Sequence, residues 1–546
     1  MTVDYDLVVI GGSTAAIYAA VRASSLKARV VLVETPDFQN NCLSQGAIYT
    51  QALQQVGRVA QQQREADKFV IDSPAAESTT QVLTDAPWYS LRSVQLTQAR
   101  EWADILLSNR LQENSPEVLA SLGIDLIVGI GEFCRRPRLG FIVNNRLLRG
   151  RAYLIATGSR PKIPQIEGLQ DVGYLTPPDI WQEAKPKARE PKQENAVKSN
   201  LEGFSRFPIG EKVLLDNSPT LNRGGENSEQ WTSSSRNLQG SLVVIGGSAI
   251  GTQLAQILAR LGCDVTLVES GSGILPTEDP EVSRLVQAQL EAEGVRLLTQ
   301  SPISHIRQIE NKKWIQAGNE AIEADEILLA YGHQSNLEDL NLEGVGVKFD
   351  SKGLELNEKL QTTNRRIYAC GDVIGGYQFA HIAEYEASIA LKNALFAPLF
   401  KVDYRSIPWA ISCDPQLARV GLTEVQARRR YGKKVLVVRQ YFKILEKAQL
   451  LGATSGFCKL VLCRNGEILG ASIVGAEASE LIGEIALAIQ QKIKVSAIAN
   501  LPHVSLTLSE IIGKTAREWQ QQGWAGKTTL QNFLESFFNL RRNWSK

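Results

Sequence analysis

Two segments of this chain carry glycine residues at the spacing that pyrophosphate binding requires. They read YDLVVIGGSTAA (5–16) and SLVVIGGSAIG (241–251). In each, Gly11 or Gly246 follows a run of apolar residues, so the backbone can turn tightly after a strand. The turn directs the free amides of the following helix towards an anion such as a phosphate group. We therefore predict that both segments bind a phosphorylated ligand.

A glutamate ends each of these units. Residues 5–34 and 241–269 both read as strand, glycine turn, helix and second strand, with Glu34 and Glu269 at their ends. A carboxylate about 20 residues after the turn can accept a hydrogen bond from an adenosine ribose. Because the whole unit is repeated, the sequence predicts two dinucleotide sites.

Both turns depart from the pattern G-x-G-x-x-G at the same place. Ser13 and Ser248 replace the second glycine, and the third position is Ala16 in one unit and Gly251 in the other. A serine hydroxyl can itself donate a hydrogen bond to a phosphate. We expect both turns to bind pyrophosphate, with the ligand slightly further out.

Size and composition limit the function classes. The chain has 546 residues, 43% hydrophobic and 21% charged, which is enough for several domains of about 150 residues each. Fifty-nine basic and 58 acidic residues leave a net charge of +1, which argues against nucleic-acid binding. The seven cysteines form no CxxC pair, and we predict no metal site. We read no targeting signal and no long apolar run, so we expect a cytoplasmic protein.

Further segments resemble those of a known enzyme family. They read LIATGSRPKIP (154–164), LLAYGHQSN (328–336), IYACGDVIGGYQFAHIAEYEA (367–387), GFCKLVLCRNGEILGASIVGAEASELIGE (456–484) and LTLSE (506–510). Together they resemble the FAD-dependent pyridine nucleotide disulfide oxidoreductases, which include dihydrolipoamide dehydrogenase, glutathione reductase and mercuric reductase. The resemblance implies a homodimer with an α/β fold: two Rossmann-like dinucleotide-binding domains, for FAD and NAD(P), and a C-terminal α+β dimerisation domain.

The resemblance also implies domain boundaries. The FAD-binding domain would comprise residues 1–165 and 325–400, and the NAD(P)-binding domain residues 166–324. The dimerisation domain would cover 404–513, followed by a C-terminal amphipathic extension, 514–546.

The same resemblance implies the cofactor-binding residues. FAD would contact Gly11, Gly12, Ser13, Thr14, Ala15, Ala16, Glu34, Gly131, Thr157, Gly158, Asp372, Ala380 and His381. A nicotinamide cofactor would contact Gly246, Ser248, Gly251, Glu269 and Gly332. Asp372 would bind the ribityl or phosphate region, and Ala380 and His381 would lie near the pyrimidine edge of the flavin. The sequence SGSGIL after Glu269 has no Arg or Lys for a 2′-phosphate, so NADH is favoured over NADPH.

The redox centre of the family is altered. The family pattern C-x-x-x-x-C-x-x-x-K falls on NNCLSQGAIYTQAL, where Cys42 keeps the first position but Ala47 replaces the second cysteine. Tyr49 replaces a proline, Gln51 replaces the lysine, and Gln253 replaces the glutamate that pairs with that lysine. A disulfide needs two sulfur atoms, so disulfide reduction is not expected. We expect the two glutamine amides to form hydrogen bonds in place of the ion pair.

The motif that the second subunit supplies is also altered. The family pattern H-x-H-P-T-x-x-E reads HVSLTLSE here, so Ser505 replaces the catalytic histidine while His503 and Glu510 remain. Cys42 then has no evident base, and a packing role is expected for it. Ala47 and Ser505 would open the far face of the flavin to a planar acceptor. Tyr49, or Glu510 reaching across the dimer, could supply a wall or a proton.

Three functions remain open at this point. The first is an NADH oxidoreductase whose acceptor is a quinone-like molecule. The second is a soluble pyridine nucleotide transhydrogenase, a class that also keeps one cysteine and loses the other but retains the lysine. The third is a flavoprotein that senses redox state or acts as a scaffold, because Gln51 and Gln253 remove charge near the flavin.

Two segments lie outside the resemblance. Residues 185–240 are rich in Lys, Glu, Pro, Asn and Ser, and we expect an irregular surface insertion there. Near the end, an apolar stripe at helical spacing precedes a basic terminus: Leu530, Phe533, Leu534, Phe537 and Phe538, then Arg541, Arg542, Trp544 and Lys546. Such a helix either lies on a membrane surface, which would suit a lipid-soluble quinone, or docks on the protein, and the sequence leaves both open.

Overall fold

A computed structural model describes most of the chain. It covers residues 3–35, 43–66, 91–135, 138–181, 240–351, 353–525 and 528–544. Cys42 and nearly all of the predicted insertion lie outside these ranges. No helix within them is long and apolar enough to cross a lipid bilayer.

The first glycine turn belongs to a parallel five-stranded sheet. Its strands are β1 (Tyr5–Ile10), β2 (Val30–Glu34), β3 (Ile124–Val128), β7 (Gly150–Ile155) and β19 (Ile367–Ala369). Their order is β19-β7-β1-β2-β3. The strands are buried because helices α1 (Thr14–Ser25) and α9 (Ala380–Leu395) pack on one face through alanine side chains. The small side chains let these two helices approach each other closely.

Smaller elements complete this part of the molecule. The antiparallel strands β4 (Gly131–Cys134), β5 (Gly140–Val143) and β6 (Arg146–Leu148) form a three-stranded sheet. Two further sheets have two strands each: β8 (Ser159–Pro161) pairs with β16 (His333–Ser335), and β17 (Phe349–Asp350) pairs with β18 (Gly353–Leu354). The helices are α2 (Leu43–Ala66), α3 (Leu91–Glu113) and α4 (Pro116–Ser121). Helices α2 and α3 pack side by side, and α2 also contacts elements of the second glycine unit.

The second glycine turn belongs to a four-stranded parallel sheet. The strands are β9 (Ser241–Ile245), β10 (Asp264–Val268), β11 (Arg296–Leu298) and β15 (Glu326–Leu329), in the order β11-β10-β9-β15. The antiparallel strands β12 (Ile303–Ile309), β13 (Lys312–Ala317) and β14 (Glu320–Ala324) form a separate sheet. The helices are α5 (Leu169–Val172), α6 (Pro177–Trp181), α7 (Ala249–Arg260) and α8 (Pro280–Ala292).

The last sheet is antiparallel. Its strands are β20 (Trp409–Ile411), β21 (Gln416–Gly421), β22 (Val435–Tyr441), β23 (Phe457–Cys463) and β24 (Ile468–Gly475), in the order β20-β21-β24-β23-β22. Its helices are α10 (Glu424–Tyr431), α11 (Glu446–Leu450), α12 (Ala478–Gln490), α13 (Val495–Asn500) and α14 (Glu510–Ala525). A further helix, α15 (Thr528–Trp544), follows. This arrangement agrees with the predicted α/β fold and α+β C-terminal domain.

Candidate functional site

The first glycine turn joins β1 to α1 and has no room for a side chain. Gly11 has φ 114°, a backbone conformation that favours glycine, and a Cβ atom there would overlap the carbonyl group of Ala156. Ser13 caps α1, because its Oγ accepts a hydrogen bond from the Ala16 amide at 3.3 Å. The turn therefore brings the start of α1 against the end of β7.

The second glycine turn repeats this geometry. Gly246 has φ 112°, and a Cβ atom would lie 2.6 Å from the carbonyl oxygen of Ala330. Ser248 caps α7 by accepting a hydrogen bond from the Gly251 amide at 3.2 Å. A Cβ atom on Gly251 would overlap the Gly246 carbonyl oxygen, so this position needs glycine. Gly332, also at positive φ, accepts a hydrogen bond from the Lys162 amide through its carbonyl at 2.9 Å.

The two serines differ from our expectation in their hydrogen bonds. The Ser13 hydroxyl donates to the Ala156 carbonyl at 2.8 Å, and the Ser248 hydroxyl donates to the Ala330 carbonyl at 2.9 Å. Each hydroxyl thus ties the helix start to a neighbouring strand end. It is not left free to donate to a phosphate, because a hydroxyl has a single proton to give.

The two glutamates occupy different environments. Glu34, at the end of β2, is half-buried, and this burial raises its pKa. Glu269, after β10, accepts hydrogen bonds from the amides of Gly247 at 2.6 Å and Gly271 at 2.7 Å. These amides hold the Glu269 carboxylate against the second glycine turn, where an adenosine ribose would bind.

A cavity of about 460 Å³ opens at the end of the first sheet. Predicted cofactor residues that line it are Gly11, Ser13, Thr14, Ala15, Gly131, Thr157, Gly158, Asp372 and Ala380. Gly12, Ala16, Glu34 and His381 are not among its lining residues. Its volume is in the range usual for a small-molecule or cofactor site. The carboxyl ends of parallel strands are also where such ligands bind in α/β sheets.

A half-buried and a fully buried carboxylate lie next to this cavity. Burial raises the pKa of Asp372 to about 6, and its carboxylate accepts a hydrogen bond from the Ser159 hydroxyl at 3.3 Å. Glu386, on α9, accepts hydrogen bonds from the Gly371 amide and from the Tyr404 hydroxyl, both at 2.8 Å. Burial raises the pKa of Glu386 to about 7. Sequence reasoning did not identify Glu386, because only the fold brings it beneath the turn that carries Asp372.

The start of α9 places Ala380 and His381 differently. Ala380 lines the cavity, as do the preceding Gln378 and Phe379. The His381 ring is exposed, and its Nε2 lies 2.8 Å from the Pro408 carbonyl oxygen. The expectation that His381 lies near the flavin therefore differs from the structure, because successive residues of a helix point in directions about 100° apart.

An ion pair at the edge of the cavity was also not predicted from the sequence. The Arg160 guanidinium donates two hydrogen bonds to the Glu338 carboxylate, at 2.6 and 2.8 Å, and both residues line the cavity. Arg160 also donates to the Asn336 side chain at 2.9 Å. The Arg160 charge holds the pKa of Glu338 at about 2. The sequence offers no signal for this pair beyond the two charges, since 178 residues separate them.

Helix α2 carries the altered redox segment. Ala47 lines the cavity, and it is the residue that we expect at the position of the second family cysteine. The Gln51 amide donates a hydrogen bond to the Ser412 hydroxyl. Among the described residues, Gln51 and Gln253 share no hydrogen bond with each other. The partner of Gln51 comes instead from the segment after β20.

Tyr49 does not line the cavity. Its hydroxyl donates a hydrogen bond to Asp104 of α3, and its ring stacks on Trp181 with centroids 6.4 Å apart. Burial and Asp104 raise the pKa of Tyr49 to about 12. The Trp181 ring also leaves no room for a Cβ atom on Gly46. The structure thus gives Tyr49 a packing environment and does not support a wall or proton-donor role beside the flavin.

The altered second-subunit motif lies between α13 and α14. The Nε2 atom of His503 lies 3.3 Å from the Glu484 carboxylate, and its Nδ1 lies 3.1 Å from the Leu501 carbonyl oxygen. Ser505 is exposed, and Glu510 begins α14 in a half-buried position. Within one chain these residues do not meet the cavity lining.

The residues around the cavity fit an FAD. Gly11 permits close approach of a ligand to the backbone, and the start of α1 can receive a pyrophosphate. Asp372 is a half-buried carboxylate with acceptor capacity left for sugar hydroxyl groups. A carboxylate that is partly removed from water is costly unless a ligand or a side chain satisfies it.

Comparisons with known proteins agree with this geometry. Residues 5–387 match the family described as pyridine nucleotide-disulphide oxidoreductase, and residues 407–516 match its dimerisation domain. A mercuric reductase of Staphylococcus aureus is 30% identical over 514 residues, which cover 93% of this chain and 81% of the relative. A dihydrolipoyl dehydrogenase of Bacillus subtilis is 27% identical over 534 residues, which cover 94% of this chain and 98% of the relative.

A solved structure has the same fold. It is the Cu(II) complex of the HOCl-induced flavoprotein disulfide reductase RclA from Escherichia coli, with a TM-score of 0.71 and 21% sequence identity. The match covers 95% of this chain and 99% of that one. The fold, the two glycine turns and the matched relatives lead to one assignment: this chain belongs to the pyridine nucleotide-disulphide oxidoreductase family of FAD-dependent NAD(P)H oxidoreductases.

Proposed function

We propose that this protein passes electrons from NADH through FAD to an acceptor that is not a disulfide, namely a quinone. The observation that carries the proposal is Ala47, which lines the cavity at the position of the second family cysteine. A methyl group can form neither a disulfide nor a thiolate, so the chain cannot store electrons in a dithiol there. The electrons must then leave the flavin directly.

The chain's own residues would hold and orient the cofactor. FAD, when bound, supplies two-electron chemistry between a nicotinamide and an acceptor. Gly11 and the start of α1 would receive its pyrophosphate, and Asp372 would accept hydrogen bonds from its hydroxyl groups. Ala380 begins α9 at the cavity, so the positive end of this helix would favour added negative charge.

Glu269 supports NADH as the electron donor. The amides of Gly247 and Gly271 hold its carboxylate in place beside the second glycine turn. A fixed carboxylate can accept hydrogen bonds from the ribose hydroxyls of NADH, whereas it would repel the 2′-phosphate of NADPH. No described Lys or Arg forms an ion pair with Glu269 that would offset this repulsion.

The shape of the cavity supports a planar acceptor. Ala47 contributes a small side chain, and Phe379 contributes an aromatic ring that stacks on Trp409 with centroids 5.7 Å apart. Aromatic walls suit a flat ring such as a quinone. Tyr49 has no part in this proposal, because it is bound to Asp104 outside the cavity. Glu510 stays the candidate proton donor, since the dimerisation domain that carries it supports a homodimer.

The test is an anaerobic absorbance titration of the purified yellow protein with NADH and, separately, with NADPH. We expect NADH to bleach the flavin absorbance without a long-wavelength thiolate charge-transfer band, and a soluble quinone to restore the colour. NADPH should bleach it more weakly. Absence of bleaching by either nucleotide would refute the proposal and favour a sensor or scaffold.

Steady-state assays separate the remaining alternatives. Lipoamide and glutathione disulfide should give no turnover with NADH, because Ala47 removes the second sulfur atom. Turnover of either disulfide would contradict the proposal. Electron transfer from NADH to an NADP⁺ analogue that exceeds quinone reduction would identify a transhydrogenase instead.

A further inference from the structure

Helix α15 carries an exposed aromatic face. Phe533, Phe537, Leu540 and Trp544 are spaced four, three and four residues apart, which puts them on one side of a helix. Trp544 is 84% exposed and Phe533 is 64% exposed, and the other two are exposed as well. The rings of Phe533 and Phe537 stack with centroids 6.5 Å apart. The face is therefore continuous and open to its surroundings.

The preceding helix uses its apolar side differently. In α14, Ile511, Ile512 and Ala516 have no exposed surface and belong to the core of the last sheet. An ordinary C-terminal helix of this chain would be expected to bury its apolar face in the same way. The described side chains of α15 join none of the hydrophobic clusters of the chain. None of the hydrophobic clusters formed by the described residues therefore covers its aromatic face.

Charge identifies the kind of surface that would cover this face. The other sides of α15 carry Asn532, Glu535, Ser536 and Asn539, together with the exposed ring of Phe538. Arg541 and Arg542 lie in its last turn: Arg541 flanks the aromatic face, whereas Arg542 lies on the opposite side and donates a hydrogen bond to Asn539. Residues 514–546 contain six basic and two acidic side chains, a local excess of four positive charges. Aromatic residues beside arginine suit the boundary between lipid tails and anionic headgroups.

A second protein surface fits these features less well. The dimerisation-domain match ends at residue 516, so α15 lies beyond it. No described helix can span a bilayer, so the contact would be with the membrane surface.

We infer that α15 binds the surface of an anionic lipid bilayer, with Phe533, Phe537, Leu540 and Trp544 inserted among the headgroups and Arg541 and Arg542 bound to lipid phosphates. This inference goes beyond the proposed function and does not depend on it. It would bring the flavoprotein to the compartment in which lipid-soluble quinones reside.

The experiment is co-sedimentation of the full-length protein with vesicles of phosphatidylcholine alone or with about one third phosphatidylglycerol. We expect binding to the anionic vesicles and weaker binding to neutral vesicles or at high salt, because salt screens the arginine charges. The double variant Phe533→Ser, Phe537→Ser should bind at least about tenfold more weakly to both kinds of vesicle. Arg541→Gln with Arg542→Gln should lose about tenfold in binding to the anionic vesicles alone.

The matched control is Leu399→Ser, which removes an equally exposed apolar side chain, 74% exposed, outside α15. It should bind like the wild type. Trp544 offers a second readout: lipids brominated near the headgroup should quench part of the tryptophan fluorescence, and Trp544→Phe should remove that part. Retention of the yellow FAD absorbance in all variants shows that each is folded, and NADH bleaching of that absorbance tests the proposed function separately.

Three results would overturn the inference. In the first, the wild type remains in the supernatant with both kinds of vesicle. In the second, the phenylalanine variant binds as well as Leu399→Ser. In the third, the phenylalanine variant has a lower oligomer mass than the wild type in ultracentrifugation, and the wild type does not bind vesicles. That outcome would assign α15 to a contact between copies of this chain.

Discussion

Glu386 allows a quantitative prediction about the floor of the flavin site. Its side chain is 1% exposed and accepts hydrogen bonds from the Gly371 amide and the Tyr404 hydroxyl. Burial is the largest influence on its carboxyl group, and the Asp372 charge adds to it, so the pKa rises from 4.5 to about 7. In the unfolded chain the carboxyl group would titrate near its ordinary value.

The size and sign of the effect follow from this difference. A pKa that is raised by about 2.5 corresponds to about 3 kcal/mol of folding free energy. Because folding favours the protonated carboxyl group, this contribution is fully present below the unfolded pKa, 4.5, and is lost as the pH rises through about 7. In Glu386→Gln the amide oxygen can accept from Gly371 and the amide N–H can donate to Tyr404. The variant therefore keeps the contacts but does not ionise.

The assay is denaturant unfolding of the wild type and of Glu386→Gln, both saturated with FAD, from about pH 5 to about pH 8.5. We expect the variant to gain up to about 3 kcal/mol of stability relative to the wild type across this range. The control is Glu446→Gln, an exposed glutamate in α11, for which the difference from the wild type should stay constant. If the difference for Glu386→Gln is equally constant, the carboxyl group ionises normally and the reasoning fails.

Three further predictions concern the cofactor turns and the redox segment. Gly11→Ala should lower FAD affinity at least about tenfold, because its Cβ atom would overlap the Ala156 carbonyl group. Retention of FAD during gel filtration measures this loss. The control is Gly173→Ala, which should retain FAD, because Gly173 also has positive φ but a Cβ atom there would contact nothing. Glu269→Gln should shift the preference between NADPH and NADH about tenfold towards NADPH in flavin-reduction kinetics, since a repelling charge is removed; an unchanged ratio would show that Glu269 does not select the nucleotide. Ala47→Cys should give no lipoamide or glutathione disulfide turnover, because the lysine and the histidine of the family are also replaced; measurable turnover would show that the second cysteine alone is sufficient.

The fold and the two glycine turns were accessible from the sequence because their causes are local. An apolar strand, a glycine that must adopt positive φ and a helix start lie within about a dozen residues of one another, so the linear order carries the geometry. Gly11 and Gly246 have nearly the same φ in the structure, 114° and 112°. The prediction that Ala47 lies open at the cavity is also local, because Ala47 belongs to the short redox segment at the start of α2.

The partners of the side chains were decided by tertiary structure. Tyr49 reaches Asp104, 55 residues away, and Gln51 reaches Ser412, 361 residues away, and no signal in the sequence indicates either partner. The sequence did not predict a role for Glu386, because a glutamate in a helix is usually exposed. Only the fold brings the Gly371 amide within hydrogen-bonding distance of its carboxylate. Backbone conformation depends on neighbours in sequence, whereas burial and hydrogen bonding depend on which distant segments pack together. The sequence by itself therefore determined the two glycine turns and the alanine at position 47, and the packing of distant segments decided which polar groups face the cavity.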